Sequence, residues 1–255
     1  MKTVTNISVT SAPHRGRQGW HPGLLFRSGS QGAWFDPSDT ATLFQDIAAS
    51  VPVLADGDPV ALMQDKSGNG HNAVQSTTAA RPIYRTDGQQ HWLEFDGVDD
   101  FMSLEVPLDI NHGTVVLGLN EPAGMTNNSG LISASGAGYI AITGSGGQRA
   151  LGKNNSGVIE RVDTPSLFPM TSKTAVGIRV QNGTIHARRW PDATEHFNAV
   201  DAKANLGSTS TLMAFSSGGA LPARVDLYGM VLFSDALSEN DHARTLIWMN
   251  KRIAL

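Results

Sequence analysis

The sequence predicts an all-β protein, an antiparallel sandwich or barrel with little helix. Three observations carry that expectation. Apolar segments are short and recur at intervals of about ten residues. Turn formers separate them, at Asp96-Gly97, Ser145-Gly-Gly147, Asn154-Asn-Ser-Gly157 and Ser216-Ser-Gly-Gly219. Finally, Asn182-Gly183 stands between two such segments, the pattern of a two-residue hairpin.

In chain order, residues 1–30 come first and show no hydrophobic period. They hold Lys2, Arg15, Arg17 and Arg27 and no acid, which leaves a net −8 on residues 31–255 of a chain whose total is −4. They read as an N-terminal arm, either a loose terminus or an extended segment that docks on a neighbour through Arg15, Arg17, Trp20 and Arg27. Residues 31–255 read as one domain. Ser38–Ile47 predicts a short helix near 38–48, with Ser38 or Asp39 as N-cap and Leu43, Phe44 and Ile47 on one face. Strands are expected at Trp92–Phe95, Phe101–Leu104, Thr114–Leu119, Tyr139–Thr143, Val158–Val162, Thr174–Val180, Thr184–Arg189, Thr211–Phe215 and Arg224–Phe233. In the last of these, alternation sends Val225, Leu227, Val231 and Phe233 one way and Tyr228, Met230 and Leu232 the other. Both faces are apolar, so something must cover the outer one. A C-terminal helix over 239–253 is the expected cover. Ser238 and Asp241 have capping-box spacing, and Ala243, Leu246, Ile247, Met249 and Ile253 form the stripe.

Composition excludes several classes. The 255 residues include no cysteine, which removes disulfides, thiol nucleophiles and cysteine-held metals. A net charge of −4 argues against a nucleic-acid binder. Apolar runs such as Thr114–Leu119 fall far short of a membrane span, and the first residues lack the apolar core of a signal peptide, so synthesis in the cytoplasm without membrane insertion is expected.

Motifs for catalysis are weak. Gly147–Asn154 is close to a phosphate-binding loop, but Asn154 stands where Ser or Thr would hold magnesium, and a turn follows instead of a helix. Glu94 and Asp96 share a strand face, as a retaining glycosidase pair would, yet Gly97 interrupts the strand before Asp99. No catalytic residue is assigned, and a non-enzyme is expected. Asp65, Ser67, Asn69 and Gly70 resemble the first half of a calcium loop, but Ser76 takes the place of the closing Glu. The segment reads either as an Asx-type turn or as half of a calcium site completed by Asp96, Asp99 and Asp100. No cofactor is required; calcium is the one candidate ion. Sugar binding wants an exposed aromatic beside acids and amides, and Trp190 and Tyr139 are the candidates.

Asp65-Lys-Ser-Gly-Asn-Gly-His71, Trp92-Leu-Glu-Phe-Asp-Gly-Val-Asp-Asp-Phe101 and Leu227-Tyr-Gly-Met-Val-Leu-Phe-Ser-Asp-Ala-Leu-Ser238 resemble the signature of concanavalin A-like, laminin G-like domains. The resemblance implies a jelly-roll β-sandwich of two antiparallel sheets. Where that family usually has an acidic pair in its last strand, this chain has Tyr228-Gly229. Gly32–Asp39, Leu43–Asp46, Ala55–Val60 and Arg81–Gly88 are similar to laminin G-like proteins of tailed bacteriophages. That narrower resemblance implies a virion structural protein (tail, fibre or head decoration), assembled in the bacterial cytoplasm. Its implied partners are other virion proteins or copies of itself. The alternative it leaves is a module that binds host surface glycan; a β-glucanase-like hydrolase is more remote.

Overall fold

Period-2 alternation gives each strand one face for a shared core, and two sheets are needed to close it. A computed structural model describes the backbone of residues 19–104, 106, 112–120, 129–134, 139–145, 148–155, 158–163, 173–181, 184–190, 195–199, 210–212 and 224–254. Within 129–163, 195–199 and 210–212 the description covers backbone, with Ile132 the exception.

The strands, in order, are β1 (Gly32–Phe35), β2 (Leu43–Phe44), β3 (Leu62–Met63), β4 (Ala73–Val74), β5 (Ile83–Thr86) and β6 (His91–Asp96). Next come β7 (Met102–Leu104), β8 (Thr114–Asn120), β9 (Ser129–Ala134), β10 (Tyr139–Ser145), β11 (Gln148–Asn155) and β12 (Val158–Asp163). Last are β13 (Thr174–Gln181), β14 (Thr184–Trp190), β15 (Glu195–Ala199), β16 (Ser210–Leu212) and β17 (Arg224–Phe233), before the helix α1 (Glu239–Ile253). One sheet runs β15-β14-β13-β8-β17-β6-β5, with β1 also on β17; the other runs β12-β11-β10-β9-β16-β7-β4-β3-β2. All the pairings are antiparallel. Gln181 faces Thr184 across β13 and β14, so their connection has the two-residue length expected of the hairpin.

Two apolar layers result. Between the sheets lie Phe35, Leu93, Phe95, Leu117, Leu227 and Met230 of the first, against Leu43, Met63, Met102 and Leu104 of the second. On the outer face of the first sheet, Trp34, Val116, Ala175, Tyr228 and Val231 meet Leu246, Trp248, Met249 and Ile253 of α1. The helix therefore covers β17 as the sequence predicts. Its cap also forms as expected: Ser238 Oγ accepts from Asp241 N at 3.1 Å and donates to the Asp241 carboxylate at 2.9 Å.

Three expectations need correction. Strict alternation in β17 fails, because its pairing with β8 shifts register between Leu227 and Gly229. A bulge adds one residue and exchanges the faces beyond it. Val225, Leu227, Met230 and Leu232 thus share the inner core, while Tyr228 and Val231 lie under the helix. The helix expected at 38–48 is a 3-10 turn at Thr40–Thr42 followed by β2, whose Leu43 and Phe44 pair with Met63 and Leu62. Sheet pairing buries Leu43 and leaves Ile47 59% exposed, so the helical face never forms. The arm also ends sooner than residue 30. His21 lies 5.8 Å from the Trp34 ring, Phe26 lies 5.7 Å from Phe233, and Trp20 and Leu25 pack on the helix-side layer. Apolar burial of these residues ties 19–30 to the globe. Arg27 is exposed, and Arg15 and Arg17 lie outside the described residues.

Candidate functional site

The outer face of β6 and β17 continues past the end of α1. Here the side chains turn polar. The strands run antiparallel with Arg224 opposite Asp96 and Asp226 opposite Glu94. Leu93 and Phe95 point inward, so Trp92, Glu94 and Asp96 point outward with Arg224, Asp226 and Tyr228. Trp92 stacks on Tyr228 with ring centres 5.6 Å apart and planes at 30°. Trp92, Glu94, Asp96, Arg224 and Asp226 line a cleft of about 240 Å³. That is smaller than the roughly 300–1,000 Å³ of a drug-sized site, and it suits one small polar ring.

The floor of the cleft carries an electrostatic conflict. Like charges directly opposite on neighbouring strands are destabilising, and Glu94 faces Asp226 in this way. Asp226 is also nearly buried, at 7% exposure. Burial raises its carboxyl above the usual carboxylate range, the Glu94 charge adds to the rise, and a hydrogen bond from Asn120 opposes it. Asn120 Nδ2 donates to Asp226 Oδ2 at 2.8 Å. Arg85 Nε donates to Glu94 Oε2 at 2.9 Å, and Arg85 Nη1 lies 3.6 Å from Asp56. One carboxylate is thus partnered by a cation and the other by an amide. A buried carboxyl raised by desolvation and a neighbouring charge, lying in a cleft, makes this a candidate functional site.

The Asp96–Phe101 turn borders the cleft. Gly97 adopts φ +75°, and a Cβ there would come within 2.7 Å of Arg224 Cβ, so the turn needs glycine. Asp96, Asp99 and Asp100 bring carboxylate oxygens within 4.8 Å of one another. The turn itself uses them: Asp96 Oδ1 accepts from Val98 N at 2.7 Å, and Asp100 Oδ2 accepts from Asp96 N at 3.0 Å. Burial, with Asp96, Asp99 and Glu94 nearby, pushes the Asp100 carboxyl up to about 7.

The rest of the expected calcium set is elsewhere. Asp65 accepts from Trp34 N at 2.9 Å, Ser67 N at 2.8 Å and His71 N at 3.1 Å. Asn69 Nδ2 donates to Ser30 O at 3.0 Å and Gly32 O at 2.9 Å. The loop is therefore a polar clasp that fastens residues 65–72 to β1, the Asx-type alternative. Among the described residues, Asp96, Asp99 and Asp100 are the group able to hold an ion, without Asp65 or Asn69.

The expected sugar aromatics fare differently. Trp190 lies opposite Ala175 on the outer face of β14 and packs half-buried on the helix-side layer. It is partly buried against that layer, as Trp92 is, but it does not line the β6–β17 cleft. Tyr139 pairs with Ser133 in β10, and its side chain lies outside the described residues. The near phosphate loop is strand β11 over most of its length, paired on both sides, so no helix N-terminus receives a phosphate. Sequence reasoning noticed Glu94 and Asp96 as a same-face pair but missed Asp226 and Trp92. The signal for both was parity: they fall on the same outward positions of two strands whose pairing the sequence does not show.

No protein-family model matches the chain, nor does any curated protein. Solved structures do. A GH54 α-L-arabinofuranosidase is similar with a TM-score of 0.63 at 9% identity, over 92% of this chain and 66% of its own. Domain 4 of AbnA, a GH43 extracellular arabinanase from Geobacillus stearothermophilus, solved with arabinotriose, gives 0.53 at 14% identity, over 72% of this chain and 92% of its own. The fold is a jelly-roll β-sandwich. The botulinum neurotoxin type G receptor-binding domain gives 0.54 at 10% identity over 76% of this chain, which spans about half (52%) of that domain. At such identities the likeness is one of fold, and the jelly roll's chemistry rests on its own cleft.

Proposed function

We propose that this jelly roll is a non-catalytic glycan-binding module, with the β6–β17 cleft as its sugar site. One observation carries the reading. The partly buried indole of Trp92, stacked on Tyr228, lines a cleft of about 240 Å³ together with the acceptors and donors Glu94, Asp226 and Arg224. An aromatic face takes the apolar side of a sugar ring, and fixed polar groups take its hydroxyls. The AbnA domain, a sandwich of similar fold solved with arabinotriose, supports the same reading. A glycan array followed by titration calorimetry tests it. Trp92→Ala and Glu94→Ala should each weaken the best ligand about tenfold or more, with unchanged circular dichroism. Full binding by both variants would remove the site.

A second reading places the module on a bacteriophage particle, bound to other virion proteins or to copies of itself. The segments at 32–39, 43–46, 55–60 and 81–88 support it, and so do Lys2, Arg15 and Arg17 within residues 1–18, which contain no acid. Deleting residues 1–18 should then abolish incorporation into particles while the jelly roll still folds. Full incorporation of the truncated protein would rule the anchoring out.

A further inference from the structure

The cleft holds a conflict that the protein's own residues relieve only in part. Glu94 and Asp226 sit directly opposite each other on β6 and β17, facing the same side. Among the described residues, Asp226 is bonded through one oxygen, Oδ2, to Asn120. No such bond to its Oδ1 is made there; the residue is 93% buried, and that oxygen is not one of the sealed polar atoms left unpaired. The neighbouring cations divide their charge: Lys173 and Arg224 both act on the Asp226 carboxyl and pull it down, against the burial and the Glu94 charge that raise it. Arg85 spans Glu94 and Asp56. Arg224 faces Asp96 across the strands. Lys173 contacts Gln90 Oε1 and lies 5.3 Å above the Tyr228 ring. The lining thus carries three carboxyl groups and one guanidinium, with Asp99 and Asp100 in the adjoining turn.

We propose that the cleft takes a cationic sugar, a hexosamine with a free ammonium group, seated between Glu94 and Asp226. The proposal rests on the glycan reading and deepens it. An ammonium at that point donates to Asp226 Oδ1 and to Glu94, and it relieves the repulsion between them. The ring then lies against the indole of Trp92, whose π face also favours positive charge nearby. An N-acetylated sugar offers a neutral amide in place of that charge. A sugar carboxylate meets Glu94, Asp96 and Asp226 and is repelled. The order of affinity follows from charge alone: free amine above N-acetyl, and N-acetyl above carboxylated.

Titration calorimetry at pH 6.5 in low salt reads this order directly. The probes are the glucosamine trimer, the N-acetylglucosamine trimer and a glucuronate-containing disaccharide. The free-amine trimer should bind about tenfold tighter than its N-acetylated counterpart, and added salt should narrow the gap. Asp226→Asn, nearly isosteric, and Glu94→Gln should each reduce the preference to about threefold or less, with Asp226→Asn unfolding in urea at or above the wild-type midpoint and Glu94→Gln still giving a cooperative urea transition. Equal or tighter binding of the N-acetylated or carboxylated probe, still lost in Trp92→Ala, would overturn the ammonium seat and leave the glycan site standing. A free-amine preference that survives both carboxyl variants would place the charge recognition elsewhere and also overturn it. Failure of every sugar to bind would remove the glycan reading itself.

Discussion

His242 gives the sharpest test of how the helix is held. It lies in the first turns of α1, fully buried, and neither ring nitrogen has a hydrogen-bond partner among the described residues. From the sheet it faces Arg179 of β13 and Arg188 and His186 of β14; on its own helix the nearby charges are Glu239 and Asp241. Burial, joined by the charges of Arg179, Arg188 and His186, pulls its imidazole from 6.5 down to about 3. The unfolded chain therefore binds a proton near pH 6.5 that the folded one refuses until near pH 3. Stability from this residue is complete above pH 6.5 and drains away as pH falls towards 3. Between pH 7.5 and 4.5 the loss is about 2.7 kcal/mol, two pH units at ~1.36 kcal/mol each. His242→Leu removes the titration and keeps an apolar group on Gly177. Asp100 and Asp226 titrate in the opposite sense, but they are common to both proteins and cancel. Urea unfolding followed by tryptophan fluorescence at the two pH values should show wild type losing about 2.7 kcal/mol more than the variant. Equal losses would refute the buried neutral imidazole.

Gly177→Ala puts a Cβ 2.3 Å from His242 Nε2 and 3.2 Å from Leu246 Cδ2, so it should cost about 1–3 kcal/mol in urea, most of it recovered when His242→Ala is added. Asp65→Ala deprives Trp34, Ser67 and His71 of their amide acceptor; thermal and urea unfolding should show a loss of about 2–4 kcal/mol. Asp100→Asn keeps the oxygen that accepts from Asp96 N but removes a carboxyl whose folded value of about 7 lies above its ordinary 3.8. Stability from the neutral acid is complete below pH 3.8 and lost as pH rises through 7, so the variant should be roughly 2–4 kcal/mol more stable than wild type at pH 8 and equal to it at pH 4.

Sequence legibility followed local periodicity. The long strands β6, β8, β13, β14 and β17 and the capped helix α1 were readable because each carries its own pattern. Two-residue strands such as β3 and β4 were not, since two residues hold no period and exist only through pairing with a neighbour. Leu43-Phe44 shows the competition directly: the apolar spacing fits a helix, and the hydrogen bonds to Met63 and Leu62 win. The clasp at Asp65 was legible as a turn because Asp and Asn bond nearby amides. Its long-range half, to Trp34, was not. At the cleft, Glu94 and Asp96 were visible within one strand. Asp226 was invisible as their partner, because opposition across β6 and β17 depends on a register fixed by distant contacts.

The bulge that defeated simple alternation also explains where the cleft lies. Up to Leu227, β17 pairs with β6; beyond Gly229 it pairs with β1. The change of partner and the added residue divide the outer face of one strand into two zones. Beyond the bulge that face carries Val231, with Trp34 of β1 beside it, and α1 seals both. Before it the face carries Arg224 and Asp226, beside Glu94 and Asp96 of β6. Gly118 and Gly229 lie at the boundary, where a Cβ on either would come within about 3 Å of Met249, so the helix sits directly on backbone there. Gln90 Nε2 then donates to Ile253 O at 2.9 Å and ties the helix end down at the edge of β6. Without the bulge, alternation would place Asp226 and Val231 on opposite faces, and one of them would enter the wrong layer. A single strand can therefore anchor the helix with one half and floor an open polar cleft with the other only because its register slips by one residue.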